Sequence, residues 1–228
     1  MEAKVVSYSQ GSAANPALLE LGRGIAPLVC GDRCVVARPL AEERAAYLQR
    51  RDETRKSLSR ALSSGRPILL EGESPSVKLS LLKSVRWPDD PPLARVSAMS
   101  EPAELFGNQV EERNGADRRR GAVWRDGALA VAVQNNAWLV VDEVQNASSE
   151  LAGALAGLAQ PEPVLRIHKG NGREELLRPD PDAGFRMILV TGLALFRRSA
   201  LESVLPGRLL GRLLRLEVER PPLGMRCD

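Results

Sequence analysis

Three short stretches of this chain are apolar at every position: residues 68–70 in "PILLE", 139–141 in "WLVVDE" and 187–190 in "FRMILVTG". A strand with one wet face alternates apolar and polar side chains, whereas a strand covered on both faces does not. These runs are too short for helices, and stretches with helical spacing separate them. Weaker strand signals lie near 94–99 and at 213–219. The pattern predicts an α/β domain built on a parallel sheet with helices on both faces.

The helical stretches follow from apolar spacing and stop signals. Over 39–64, Leu40, Ala45, Leu48, Leu58 and Leu62 recur at near-helical intervals, and Ser64-Gly65 ends the run. Asp52, Glu53 and Thr54 can divide this stretch in two, with Thr54 capping the second helix. Further helices are expected over 77–85, 126–136 and 148–160, the last capped by Ser148 or Ser149. A short one is expected in "RSALESVL". "VLRIHKGNGREELLRP" reads as a hairpin turning at Gly170, Asn171 and Gly172. Residues 1 to about 37 are broken by Gly and Pro and predict no regular element.

Composition excludes several functions. Only five of the 32 Lys and Arg residues are Lys. Arg suits bidentate pairing with carboxylate or phosphate, as at subunit interfaces or around a nucleotide. No basic patch is interleaved with aromatics of the kind that stacks bases, which argues against direct nucleic-acid binding. Cys30 and Cys34 have no further Cys or His nearby to complete a zinc site. The odd count of three Cys suits a reducing, intracellular compartment. The one histidine, His168, sits where a strand runs into a turn, so Ser-His or Cys-His catalysis has no other residue to rest on. No apolar run approaches the roughly 20 residues that cross a bilayer, and no membrane association is expected.

The chemistry concentrates after the first apolar run, in "GESPSVKLS" (72–80). A phosphate loop of the form G-x-x-x-x-G-K-[ST] wraps backbone N–H groups around phosphate, reaches it with Lys and holds Mg²⁺ with a hydroxyl. Gly72 and Lys78 fit. Val77 stands where the second Gly belongs, a position where a β-branched residue would resist a positive φ. Leu79 stands where Ser or Thr belongs, and Ser80 lies about 100° further round the helix. Downstream, Asp142 and Glu143 follow the second apolar run, at a strand's carboxyl end. In a phosphate-loop enzyme such an Asp holds Mg²⁺ through water and such a Glu polarises the attacking water.

Several segments in order carry a resemblance: "TRKSLSRALSSGRPILLEG", "LFG" (105–107), "WRDGAL" (124–129), "WLVVDEVQNASSELAGALAGL" and "FRMILVTG". Over about residues 54–220 they resemble AAA+ ATPases of the branch containing midasin, MoxR-type proteins and dynein, and midasin modules above all. The resemblance implies an AAA+ α/β core (54–220) with a hairpin insertion before the sensor strand, preceded by a partly helical N-terminal extension (1–53) and followed by a short tail (221–228) without the usual helical lid.

It also implies roles. Gly72, Glu73, Ser74 and Lys78 would hold the phosphates of ATP, with Asp142 on Mg²⁺ and Glu143 on the attacking water. The polar first sensor falls on Gly192, or on Thr191 if the register slips by one. Arg212 takes the place of an arginine finger acting on a neighbour's nucleotide, with Arg208 and Arg215 as rivals. Partners would be other AAA+ modules in a ring or tandem array, and a protein or ribonucleoprotein substrate. Nuclear or nucleolar localisation and ribosome biogenesis follow for a midasin-like protein, the cytoplasm otherwise. The alternative is a degenerate AAA+ scaffold or interaction module that binds nucleotide weakly or not at all, with weak or no turnover, as Val77, Leu79 and Gly192 suggest.

Overall fold

The computed structural model describes residues 28–30, 33–35, 41–72, 75–86, 89–113, 120–169, 172–192 and 198–222. The chain divides into two compact units. One comprises residues up to Thr54 together with those from Glu219 onward, and the other is Arg55–Val218. In chain order the elements are β1 (Leu28–Cys30), β2 (Arg33–Val35), α1 (Ala41–Ser63), β3 (Ile68–Glu71), α2 (Pro75–Ser84), β4 (Leu93–Ser97), α3 (Pro102–Phe106), β5 (Gly107–Arg113), β6 (Arg120–Asp126), α4 (Ala128–Gln134), β7 (Trp138–Asp142), α5 (Ser149–Leu158), β8 (Leu165–Lys169), β9 (Arg173–Leu177), β10 (Arg186–Val190), α6 (Arg198–Val204), α7 (Gly207–Leu210) and β11 (Leu214–Glu217).

In the smaller unit, β1 and β2 form an antiparallel pair with Cys30 opposite Arg33, within a segment whose sequence predicts no regular element. Arg50 Nε pairs with Glu219 at 2.7 Å. The helix α1 runs unbroken for 23 residues, so Asp52-Glu53-Thr54 does not divide it. No Gly or Pro interrupts the stretch. The Thr54 hydroxyl donates back to the Arg50 carbonyl at 2.9 Å, a bond that keeps a mid-helix Thr within the helix instead of capping a new one.

The larger unit is built on a five-stranded parallel sheet of order β11-β3-β10-β7-β4. Every residue of β3 and β7 is buried, which requires cover on both faces and explains the uninterrupted apolar runs. The core joins Leu69, Leu139, Val141 and Leu189 of the sheet to Leu129 and Val133 of α4 and to Leu151 and Leu155 of α5. Ala130, Ala132, Ala152 and Ala156 fill the remaining helix positions facing it, consistent with a chain poor in aromatics. The Ser148 hydroxyl caps α5 by accepting from Leu151 N at 3.2 Å.

Register brings the strand ends level. Leu70 lies opposite Val190, and Leu189 opposite Val141. Asp142 lies opposite Ser97, and Glu217 opposite Glu71. Two hairpins stand apart from this sheet, β5–β6 and β8–β9. The second is the one expected around Gly170, although Gly170 and Asn171 themselves lie outside the described residues. The first is not apparent from sequence, because "GNQVEER" lacks the apolar alternation that marks a half-buried strand.

Candidate functional site

The carboxyl ends of β3, β7 and β10 converge on Lys78. This residue lies in the first turn and a half of α2 and has no exposed surface. Its ammonium donates to the carbonyl of Gly72, just past β3. It also donates to the carbonyl of Thr191, just past β10, at 2.5 Å. Burial lowers the Lys78 pKa below the ordinary 10.5, and the Asp142 carboxylate opposes that shift by favouring the charged form.

Gly72 is required where it stands. Its φ is +137°, and a Cβ built on it would lie 2.3 Å from the Val218 carbonyl oxygen, closer than atoms tolerate. That carbonyl is fixed because Val218 N donates to the Glu71 carbonyl at 2.8 Å. Glu73 and Ser74, the other expected loop residues, lie outside the described residues.

Val77 imposes no strain. The helix α2 begins at Pro75, so Val77 is already helical and buried against the core. The positive φ that would penalise it does not arise. Residues 75–77, which a phosphate loop of this spacing would wrap around phosphate, are here part of the helix.

Asp142 ends β7 and is largely buried. Its Oδ1 accepts from Glu143 N at 3.0 Å. Its Oδ2 accepts from the Arg95 guanidinium, reached from the edge strand β4. Glu143 is exposed and adopts left-handed backbone, φ +55° and ψ +39°. A non-glycine residue pays for that conformation, and such strain concentrates at functional sites.

Mg²⁺ takes close to six oxygens in octahedral array and draws most of them from water and substrate phosphates. Here each Asp142 oxygen already accepts one hydrogen bond within the protein, and Leu79 offers no oxygen. Among the described residues no group of three or more His, Cys, Asp or Glu is placed to hold a metal ion.

The expected sensor position resolves into two residues. Gly192 is exposed, whereas Thr191 is buried and brings its carbonyl to Lys78. A Cβ built on Gly192 would come 3.9 Å from Nε2 of Gln145. Among the described residues, the buried Oε1 of Gln145 has no hydrogen-bond partner. Gln145 thus places an amide beside the glycine, a feature a one-dimensional alignment of the sensor strand misses.

Arg212 is not brought to Lys78. It precedes β11, at the amino end of the sheet, where its carbonyl accepts from Arg66 at 3.2 Å and Leu214 N donates to the Pro67 carbonyl at 2.9 Å. Of its rivals, Arg208 is exposed on α7, and Arg215 faces the buried Glu71 at 3.7 Å. His168 is exposed on β8. No described helix is long and apolar enough to cross a membrane.

Strand order, the helix α2 that follows β3 and the acidic end of β7 together define an α/β phosphate-loop fold of AAA+ type. Comparison with known proteins agrees at that level. No protein-family model matches the chain. Midasin of Giardia intestinalis is 31% identical over 128 residues, 55% of this chain and 2% of that protein's length. Two solved structures share the fold at low identity. One, from Cytophaga hutchinsonii, is a protein to which ATPase activity is ascribed. It has a TM-score of 0.50 and 16% identity over 80% of this chain and 54% of its own. The other is NtrX from Brucella abortus, with a TM-score of 0.51 and 17% identity over 78% of this chain and 40% of its own. The chain therefore spans a small fraction of the midasin it matches and about half of these solved chains.

Proposed function

We propose that this chain is a midasin-like AAA+ module that binds the phosphates of ATP through Lys78 and works beside other AAA+ modules in a ring or tandem array. The observation that carries the reading is the complete burial of Lys78 between the carbonyls of Gly72 and Thr191. Burying an ammonium is costly, and an apolar residue would serve the core better. A lysine at this place is explained by an anion it meets. The array would remodel a protein or ribonucleoprotein assembly, with Arg212 presented to a neighbour's nucleotide from the far end of the sheet. A place in ribosome biogenesis, and hence in the nucleus, rests on the likeness to midasin.

Nucleotide hydrolysis by the chain itself is the second reading. It is favoured by Glu143, held in strained backbone beside Asp142, and opposed by the donor set around Asp142. Thermal unfolding tests the proposal. Millimolar ATP raises the melting temperature of the wild type and leaves Lys78→Ala unchanged, since a ligand bound only to the folded state stabilises it. Absence of any ATP-dependent shift in the wild type overturns the reading.

A further inference from the structure

Arg95 has no role in the reading above, yet it is a charged residue in the middle of β4, flanked by partly buried Ala94 and buried Val96. In register it lies opposite Val140, one pleat short of Asp142. Its side chain runs along the strand to the Asp142 carboxylate, the group that a site of this class would use for a divalent cation. Asp142 in turn is felt electrostatically by Lys78. The three side chains make a row of alternating charge, Lys78, Asp142 and Arg95, at the carboxyl ends of the sheet.

We infer that the Arg95 guanidinium stands in for the divalent cation, so that this module binds a nucleoside triphosphate without metal. The inference rests on the nucleotide-binding reading and specifies it further. Four observations converge. Leu79 removes the hydroxyl ligand. The Asp142 oxygens each accept a hydrogen bond within the protein, from Arg95 and from Glu143 N. Among the described residues only one terminal nitrogen of Arg95 is used, on Asp142, and the planar fork has five N–H groups in all. Half of the Arg95 side chain surface is exposed (52%), which leaves the side chain accessible to an incoming phosphate. Guanidinium matches phosphate oxygens bidentately.

The test is titration of a fluorescent ATP analogue into the whole chain, in Mg²⁺ and in excess EDTA, with Arg95→Ala and Arg95→Lys alongside. Folding of each variant is checked by circular dichroism. We expect wild-type affinity in EDTA within about threefold of that in Mg²⁺. We expect Arg95→Ala to lose about tenfold or more in EDTA, the scale of one hydrogen bond to a charged group, and Arg95→Lys to recover part of it. Wild-type binding that collapses in EDTA overturns the role of Arg95 and leaves nucleotide binding standing. Binding in EDTA that Arg95→Ala does not weaken also overturns it. Absence of binding under both conditions removes the nucleotide-binding reading, and this inference with it.

Discussion

Lys78 Nζ donates to the Thr191 carbonyl across 113 residues of sequence, at 2.5 Å. This contact ties the first helix after β3 to the end of β10. A bound triphosphate must draw Lys78 from these carbonyls or share it with them. The ammonium is accordingly poised between two sets of oxygen acceptors.

The pH dependence of stability follows from the burial of that ammonium. Its pKa in the folded state is below 10.5, so between the two values the unfolded chain binds more protons and stability rises with pH. The penalty is fully present below the lowered pKa and fades as pH approaches 10.5. The gap in stability between Lys78→Met and the wild type therefore shifts in favour of the wild type between neutral pH and about pH 10. Urea unfolding at several pH values measures it. A gap independent of pH contradicts the burial.

Gly72→Ala is expected to destabilise the fold by roughly 2 kcal/mol or more, since left-handed strain costs about 1–3 kcal/mol and the added methyl collides with the Val218 carbonyl. Denaturant titration reads the loss. A variant as stable as the wild type would show that β3 and the chain after β11 do not approach so closely.

Glu143→Gly should stabilise the protein by about 1 kcal/mol, because glycine adopts a φ of +55° without cost. If hydrolysis occurs at all, the same variant abolishes it. Destabilisation would place an unrecognised contact on the Glu143 side chain.

Arg212→Ala is expected to leave nucleotide binding by the isolated chain within about twofold of wild type, since Arg212 sits at the amino end of the sheet. Its effect should emerge only when modules are assembled, as a change in turnover by the neighbour. Direct loss of affinity in the isolated chain would contradict the placement.

The parts of the fold that were legible in sequence are those written in local runs. The buried strands β3, β7 and β10 lack polar positions because both faces are covered, and Asp142 and Lys78 are marked by the runs they follow. The β5–β6 hairpin escaped because "GNQVEER" carries no apolar alternation. The single helix α1 was obscured by Thr54, which resembles a cap until its hydroxyl is seen to bond back to Arg50. Arg95 could not be assigned from sequence, because its partner Asp142 lies 47 residues away and only the β4–β7 register aligns them. An arginine inside "LARVS" was the one signal available. Glu73 and Ser74 remain expectations from the resemblance.

The most direct test of the central claim is titration of a fluorescent ATP analogue into wild type and Lys78→Ala at neutral pH. Saturable binding by the wild type, weakened at least tenfold in the variant, is the result expected when one charged contact is removed. Equal binding by both proteins, or none by the wild type up to millimolar concentration, contradicts it.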